Sequence, residues 1–430
     1  MSRETKWLFV ILAVALIARI VLWGAVVGWD REPIGDEIDY HGLATHISDG
    51  SGYQTALGQT TARRPPLYPL LLAGLYKVTG ADIFWGRLLQ VLLGVVVVWL
   101  SFVVCRKYFD MRIAWVAVSL CALNPFLIFV SGYVLTENLY MVVILVTLYF
   151  GPKPTSLGAS WRLVVSVAFL IGLWALARPN GFAAGLWILF FYMVLGGGHL
   201  RRRVQRGVVF LALIILPLVP WAARNKAAMG EWIFFTTHGG STFYQGNNAK
   251  VIEIPQYRGG VAPLYMLPGR DELAVMSEVE RDRASWVLGK RFLSENKRHI
   301  PRLLWWKFQR FWRFESDRGM SGVQSGWWFD NSSGLGRLAT AIDVGFVYAA
   351  LVIPLFVAGL FLTRGRWRGL VFLYGVLLIH ALVPLVFHGS LRMRIPIEPI
   401  MAMFAAAAIL RIYDRIGRPL QNSGRIQSET

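Results

Sequence analysis

Long apolar runs alternate with short polar segments along almost the whole chain. An α-helix of about 20 apolar residues crosses a bilayer, and the chain has ten apolar runs that we interpret as spans, although several are shorter than that. We predict spans at about residues 7–28, 83–105, 112–132, 138–150, 162–177, 182–196, 207–222, 341–362, 369–387 and 395–411. The first run is longer than the core of a cleaved signal peptide, so it is interpreted as a retained span. The pattern indicates an all-α polytopic membrane protein.

Several polar or weakly apolar stretches predict structure outside these spans. Residues 66–79 are apolar but too short to cross, so they predict an interfacial or re-entrant helix. Residues 271–298 predict an amphipathic helix, and 301–314 a basic, aromatic helix lying on the membrane. That basic face contacts either anionic headgroups or a lipid substrate. Residues 231–268 are rich in turn formers and predict turns and short extended pieces.

These elements divide the chain into four parts. We predict an N-terminal membrane module with its first extracytoplasmic loop, a mixed extracytoplasmic loop domain, C-terminal membrane helices and a cytoplasmic tail. Their bounds are 1–222 (loop 29–82), 223–340, 341–411 and 412–430.

The distribution of charge orients the spans. The chain has 430 residues, 55% hydrophobic and 16% charged, with a mean hydropathy of +0.49 and a net charge of +19. The basic residues mostly occupy alternate short loops, which is the pattern of cytoplasmic loops rather than of a nucleic-acid-binding surface. Both termini belong to this cytoplasmic set. Most acids lie on the opposite face, which is therefore the candidate chemical face.

Cysteines and histidines give little support for a metal site. Cys105 and Cys121 lie in apolar runs, and the seven histidines lack the usual ligand spacing. No metal ligand set is predicted, although a divalent cation held by carboxylates remains an open alternative as a cofactor. The sequence also lacks a phosphate-binding loop and a dinucleotide motif, so nucleotide-driven chemistry is not expected.

Three carboxylates stand close together after the first span, in the segment GDEIDYHGLA. On a helix Asp36 and Tyr40 share a face, whereas Glu37 and Asp39 point elsewhere. Acids also suit the first turn of any helix, so a solvated helix start is the structural alternative. Glu137 follows Thr136 at the start of span four. Either Glu137 lines a cavity, or Thr136 caps the helix and Glu137 interacts favourably with the helix dipole.

Arginines occur at several helix ends on this same face, against the charge trend of the chain. A guanidinium binds phosphate in a bidentate manner, whereas a lone arginine is more simply an anchor at the membrane surface. Together they predict a convergent anion site formed by Arg63, Arg64, Arg178, Arg224, Arg392 and Arg394.

A series of motifs then carries a family resemblance. In order they are an AspGlu pair, ArgArgProProLeuTyrPro, ThrGluAsn, ArgProAsn, ProTrp with ArgAsn, GlnGlyAsnAsnAla and LeuArgMetArgIlePro. Their order and placement resemble the C-type membrane glycosyltransferases, specifically glycosyltransferase family thirty-nine. This group contains protein O-mannosyltransferases and lipid A aminoarabinose transferases, and the similarity runs from about residue 7 to 411.

The resemblance implies a C-type fold and transfer of a sugar from a polyprenyl-phosphate donor to an acceptor hydroxyl, with inversion. Asp36 would be the general base, Glu137 would line the same pocket, and Glu37 would position substrate or tune Asp36. Asp39 is interpreted as a solvated helix residue. The donor phosphate would be bound by Arg63, Arg64, Arg224 and Arg394. The substrate pocket would include Tyr40, Tyr68, Arg178, Asn225, Asn247, His388 and Arg392.

The expected setting is the cytoplasmic (inner) membrane of a bacterium, with the active site outside. The expected partners are the lipid-linked donor, a lipid, polysaccharide or protein acceptor, and membrane lipids, with a monomer as the working unit and no nucleic acid. A transporter or flippase for a lipid-linked sugar is the alternative function, and a non-catalytic glycan-binding scaffold is another. Transporters usually show two similar halves, which this chain lacks.

Overall fold

The computed structural model describes residues 2–24, 28, 31–151, 160–313 and 344–423. Within these residues the chain forms α-helices joined by turns, and the only strand-like feature is a single bridge between Gln54 and Thr60. The first eleven helices are α1 Arg3–Leu22, α2 Asp36–Ser48, α3 Leu67–Thr79, α4 Ile83–Tyr108, α5 Met111–Ala122, α6 Pro125–Val130, α7 Glu137–Phe150, α8 Trp161–Ala177, α9 Asn180–Leu195, α10 Leu200–Ile215 and α11 Leu218–Met229. The others are α12 Gly239–Gly246, α13 Lys250–Glu253, α14 Arg270–Val275, α15 Glu278–Glu295, α16 Ile300–Trp312, α17 Val344–Thr363, α18 Trp367–Val386, α19 Leu391–Arg394 and α20 Glu398–Ser423.

The apolar helices make this a multi-pass membrane protein. Four described segments are long and apolar enough to cross a bilayer: Arg3–Leu22, Ile83–Tyr108, Val344–Val386 and Leu391–Ile416. Helices α10 and α11, bent by 44° at a break, together make a fifth. Five shorter apolar helices are α3, α5, α7, α8 and α9. The number of ten spans therefore stays a prediction.

Two predicted spans are interrupted in the structure. The predicted helix 112–132 is divided into α5 and α6, because the Asn124 side chain caps α6 by accepting from the N–H groups of Phe126 and Leu127. Pro125 then occupies the first turn, where its missing N–H costs nothing. The predicted span 207–222 is broken at Pro217, which precedes α11 without a side-chain cap, and α11 continues to Met229, beyond the predicted domain boundary.

The described part of the loop domain, residues 223–313, is largely helical, which differs from the turns and extended pieces predicted for 231–268. Helix α12 packs closely on α15, since a Cβ on Gly240 would lie 1.9 Å from the Asp282 carbonyl oxygen. Phe243 stacks on Trp286 at 4.5 Å between ring centroids. The sequence signal for this helix is weak because its formation depends on that tertiary contact rather than on local preference.

The amphipathic stretch 271–298 forms two helices rather than one. Ser277 starts α15 with a capping box, in which its hydroxyl accepts from the Glu280 N–H and the Glu280 carboxylate accepts from Ser277 N–H. Helix α16 begins with Pro301 in its first turn, as predicted for the basic aromatic stripe. The predicted start of the eighth span at 341 lies outside the described residues.

The largest hydrophobic core lies between the membrane helices. Helix α20 is its most enclosed element, with residues 400–406 fully buried against α17, α5 and α4. Its approach to α17 is close, because a Cβ on Gly359 would lie 2.0 Å from the Phe404 carbonyl oxygen. The short helix α19 immediately precedes α20, so this rigid packing fixes where residues 391–394 are placed.

Candidate active site

A cavity of about 480 Å³ lies where the membrane helices meet the loop domain. Its walls come from α2, the turn before α3, the start of α9, helix α12 and the segment around α19. The charged and polar side chains that line it are Asp36, Tyr40, Arg63, Arg64, Arg178, Asn180, Thr236, His238, Thr242, Gln245, His380, His388, Ser390 and Arg392. The cavity thus collects side chains from distant parts of the chain at one end of the helix bundle.

Asp36 is held by two arginines. Its Oδ1 accepts from Arg64 at 2.5 Å and its Oδ2 accepts from Arg392 at 2.5 Å. Arg64 also donates to Asp39 Oδ2 at 2.6 Å, and Arg63 lies 3.9 Å from the same oxygen. Asp39 is therefore an ion-pair partner, whereas the sequence predicted a solvated helix residue.

Glu137 extends this series of ion pairs, in which acids and arginines alternate. Its Oε1 accepts from Arg392 at 2.5 Å and from Arg178 at 2.6 Å, and its side chain is fully buried. Thr136 was a candidate helix cap, but its hydroxyl instead accepts from Arg178. The charge network therefore consists of Asp39, Arg64, Asp36, Arg392, Glu137 and Arg178.

The arginines determine the protonation state of Asp36. Burial would raise the pKa of this carboxyl, but the charges of Arg64 and Arg392 and their hydrogen bonds lower it far below its usual range. In return, burial would lower the pKa of Arg64, and Asp36 and Asp39 raise it. Asp36 is thus a carboxylate that the free protein keeps ionised at any physiological pH.

Helix geometry accounts for which acids face the cavity. Asp36 and Tyr40, four residues apart, both line it, and the Arg64 guanidinium lies 5.2 Å from the Tyr40 ring centre. Glu37 points to the other side of α2 and does not line the cavity. It is fully buried, 2.5 Å from Arg31 and 3.6 Å from Arg87, and its Oε1 accepts from the Val134 N–H.

The loop domain, together with His388 from the turn after α18, supplies a second wall that is neutral and polar. Thr242 and Gln245 come from α12, and His238 directly precedes that helix. Burial and nearby arginines lower the pKa of His238 well below its usual value. For His388, burial, Lys307 and two arginines lower the pKa to about 3. Both imidazoles are therefore neutral at physiological pH.

Among the residues of this wall, only His388 was predicted from the sequence as a site residue. The sequence contains one feature that could have identified His238 as well, because His238 and His388 are each followed directly by glycine. Gly240 and Gly389 are needed for close approach of backbones, because a Cβ on Gly389 would lie 2.1 Å from the Lys307 carbonyl oxygen. Helix α12 itself was not predicted, so Thr242 and Gln245 could not be placed.

Arg224, a predicted phosphate ligand, does not line the cavity. It donates to the carbonyl oxygens of Tyr53 and Thr61, each at 2.7 Å, and so braces the turn that leads to Arg64. Asn225 is buried beside it and donates to the Ile233 carbonyl at 2.8 Å. Both residues hold the first loop against the segment that follows α11.

Four other predicted site residues also lie outside the cavity lining, and one of them is Glu137, which contacts the cavity only through Arg178 and Arg392. Arg394 is fully buried and pairs with Glu398 at 2.8 Å. Tyr68 is fully buried and accepts a hydrogen bond from Gln90. Asn247 is buried and accepts from the Lys307 ammonium at 2.8 Å, next to the end of α18. These side chains hold together the elements around the cavity.

The donor set does not suit a divalent metal ion. Asp36 and Glu137 are already paired with guanidinium groups, which compete with a cation for the same oxygens. Among the described residues, no group of three or more His, Cys, Asp or Glu side chains is close enough to hold a metal.

Comparison with known proteins supports the resemblance seen in the sequence. Residues 63–221 match the family model of the dolichyl-phosphate-mannose-protein mannosyltransferases. This segment contains Arg63, Arg64, Glu137 and Arg178. No curated protein sequence is significantly similar to the chain.

Solved structures share the fold. The archaeal oligosaccharyltransferase AglB from Archaeoglobus fulgidus, in complex with an inhibitory peptide and a dolichol-phosphate, superposes with a TM-score of 0.53 at 17% identity, covering 98% of this chain and 52% of that one. The oligosaccharyltransferase from that organism in complex with Zn and sulfate gives 0.53 at 16% identity, covering 97% and 51%. A weaker similarity, with a TM-score of 0.44 at 16% identity, covers 95% of this chain and 78% of ArnT from Cupriavidus metallidurans bound to undecaprenyl phosphate, so the fold assignment rests on the archaeal structures instead.

The chain spans about half the length of the archaeal enzymes. The superposition covers nearly the whole of this chain and confirms the predicted fold class, an all-α polytopic membrane protein with the fold of these enzymes. At this level of identity the likeness concerns the fold.

Proposed function

We propose that the protein is an integral membrane glycosyltransferase that moves a sugar from a polyprenyl-phosphate donor to a hydroxyl of a cell-envelope acceptor. The acceptor is a lipid, a polysaccharide or a protein. The reaction takes place on the extracytoplasmic face of a bacterial cytoplasmic membrane, with both termini in the cytoplasm and a monomer as the working unit. The observation that carries the proposal is the charge network, which brings one ionised acid and several arginines to a single cavity.

This arrangement meets the needs of transfer from a glycosyl phosphate. The phosphate is a good leaving group, so the reaction needs cations for its charge and a base for the acceptor proton. Arg64 and Arg392 flank Asp36 on its two oxygens, so phosphate and base would lie side by side. Direct attack by the acceptor oxygen then inverts the anomeric carbon.

The neutral wall formed by the loop domain and His388 suits the sugar and the acceptor. Neutral imidazole, amide and hydroxyl groups are the partners that sugar hydroxyls use, and His238, Thr242, Gln245 and His388 provide them. Glu137 is fully buried and shared by two arginines, which makes it unsuited to protonate a leaving group as the second acid of a glycoside hydrolase would.

The match of residues 63–221 to the mannosyltransferase model gives independent support for a lipid-linked donor. The AglB structure that shares the fold is a complex with a dolichol-phosphate and a peptide, which fits a lipid phosphate and an acceptor meeting in one site. No step of this proposal uses a divalent metal, because the arginines supply the positive charge for the phosphate.

The experiment is donor turnover in proteoliposomes that contain the purified protein and a panel of radiolabelled polyprenyl-phosphosugars. A transferase releases polyprenyl phosphate, whereas a transporter, flippase or scaffold leaves the donor intact. The Asp36→Asn variant should lose roughly a hundredfold or more in rate while still folding. Asp49→Asn, on an exposed residue just after α2, is the matched control and should keep full activity. Near wild-type turnover by Asp36→Asn would remove Asp36 as the base.

A further inference from the structure

Asp36 is poorly suited to act as a base in the arrangement described above. Each of its oxygens accepts a charge-assisted hydrogen bond, from Arg64 and from Arg392. Together these two arginines outweigh burial and lower the pKa of the carboxyl far below its usual range. A carboxylate in that state has little tendency to accept a proton from a sugar or lipid hydroxyl. Something must loosen the two ion pairs before Asp36 can function.

The other two acids of the charge network have additional partners. Asp39 has Arg63 at 3.9 Å besides Arg64, and Glu137 has Arg178 at 2.6 Å besides Arg392. If Arg64 and Arg392 turn toward another anion, Asp39 and Glu137 each keep a cation. Asp36 depends on the two shared arginines alone among the ion pairs of the network. It is therefore the acid whose basicity responds most to a ligand that attracts them.

We propose that the donor phosphate takes Arg64 and Arg392 from Asp36, so that donor binding itself turns Asp36 into the catalytic base. The inference rests on the proposed glycosyltransferase function and adds an order, donor before acceptor activation. It also assigns Arg392 as a positioning residue that acts through Asp36 in the free protein and contacts the phosphate in the complex.

The geometry makes this exchange a short movement. Arg64 stays tethered through Asp39 and Arg392 through Glu137, each by a bond of 2.5–2.6 Å. Each guanidinium can therefore pivot about its second acid without leaving the cavity wall. A phosphate presents more charge and more acceptor oxygens than one carboxylate, and it matches the planar fork of arginine.

The chemical step is then balanced by these same groups. The acceptor hydroxyl gives its proton to Asp36, and its oxygen forms a bond to the anomeric carbon. The bond from that carbon to the phosphate oxygen breaks, with its electron pair going to the phosphate. Arg64 and Arg392 neutralise the charge that develops there. When the polyprenyl phosphate leaves, the arginines return to Asp36 after its proton is lost to water.

Competition between Asp36 and the phosphate gives a binding test that needs no turnover. Undecaprenyl phosphate is titrated into the protein in lipid nanodiscs at constant salt, for the wild type, Asp36→Asn and the control Asp49→Asn. Removing the competing charge should tighten binding by roughly fivefold or more, a typical coupling between linked sites. The control should bind as the wild type does. Equal or weaker binding by Asp36→Asn would overturn the exchange.

Proton uptake provides a second measurement that uses the wild type itself. Losing two arginines raises the pKa of Asp36, so binding at about pH 5 should draw a proton from the buffer. Calorimetry in two buffers with different heats of ionisation measures this uptake, and Asp36→Asn provides the background from the lipid phosphate. An equal uptake by both proteins would overturn the proposal.

The outcomes also separate this inference from the proposed function. If the wild type releases polyprenyl phosphate from a donor while Asp36→Asn shows no gain in affinity, the exchange fails and the transferase stands. If no protein in the series binds undecaprenyl phosphate or consumes a donor, both proposals fail.

Discussion

At the scale of single residues, Arg392 and Arg394 are only two positions apart in the sequence, yet only Arg392 lines the cavity. Arg394 points into the protein, where it pairs with Glu398 at 2.8 Å and donates to the Arg313 carbonyl at 2.8 Å. A buried ion pair is costly to break from one side, because the remaining charge is left without a partner. The two arginines should therefore differ in what their loss affects.

Arg394→Gln should lower the free energy of unfolding by roughly 3–5 kcal/mol, while Arg392→Gln should lower donor turnover with a smaller effect on stability. Thermal unfolding in detergent, together with turnover per folded molecule, separates the two effects. A loss of turnover in Arg394→Gln at an unchanged melting temperature would instead support the role in phosphate binding that the sequence predicted for Arg394.

His388 should make stability depend on pH. Burial and neighbouring cations lower its folded-state pKa from 6.5 to about 3, so the unfolded chain takes up a proton first as the pH falls. The contribution of His388 is therefore complete above pH 6.5 and is lost progressively toward pH 3. The melting temperature of His388→Gln should fall less than that of the wild type between pH 6.5 and 4.5. Parallel curves would contradict a partly buried, neutral imidazole.

At the scale of elements, Glu278 joins the first loop to the loop domain. Its carboxylate accepts from the Thr61 hydroxyl at 2.7 Å, from the Ala62 N–H at 2.8 Å and from the Thr237 hydroxyl. These contacts hold the turn that carries Arg63 and Arg64 against the start of α12. The position of the arginines thus depends on an acid that is itself outside the cavity lining.

Glu278→Gln should loosen this junction, because an amide oxygen accepts less strongly than a carboxylate and its NH₂ group cannot accept from Ala62. We expect a loss of about 1.5–3 kcal/mol in stability and a raised KM for the donor. Glu272→Gln, on an exposed residue of α14, is the matched control. Limited proteolysis of the first loop and donor kinetics measure both effects. An unchanged KM would show that the turn keeps its position without Glu278.

The elements also show how far a single sequence can predict this site. Helical spacing correctly indicated that Asp36 and Tyr40 share a face, and the arginines at helix ends correctly led to Arg64, Arg178 and Arg392 as cavity residues. The roles of these residues in binding and catalysis remain predictions.

Other parts were not predictable for physical reasons. Arg224 has the same residue type and the same kind of location as Arg178, and only the nearby carbonyls of Tyr53 and Thr61 distinguish it. Helix α12 depends on close packing against Asp282 and Trp286, which local preferences do not encode. The break at Pro125 was readable in principle, because AsnPro is a strong helix-start signal.

On the scale of the whole molecule, the proposed orientation places the loop domain outside and the turn between α9 and α10 in the cytoplasm. The two native cysteines, Cys105 and Cys121, are both buried, which gives a low background for thiol labelling. The exposed residues Ser294 in α15 and His199 before α10 are suitable positions for single reporter cysteines.

In intact cells, a membrane-impermeant maleimide should label Ser294→Cys and not His199→Cys. After the cells are opened, both should react. The wild type serves as the control for the buried thiols. Labelling of His199→Cys alone in intact cells would reverse the orientation and place the cavity on the cytoplasmic side.

The charge network also affects how the cavity discriminates against ordinary phospholipids, which are in vast excess in the membrane. Bare arginines at the bilayer surface would be occupied by the phosphodiester groups of bulk lipids. In this cavity a phosphate that binds Arg64 and Arg392 must first displace the carboxylate of Asp36, with Asp39 and Glu137 close by. A headgroup that brings nothing else to the cavity gains little from that exchange. The acids thus weaken the binding of any phosphate that makes no other contacts. A lipid whose sugar also contacts the neutral wall around His238 and Gln245 gains the additional affinity that it needs to bind.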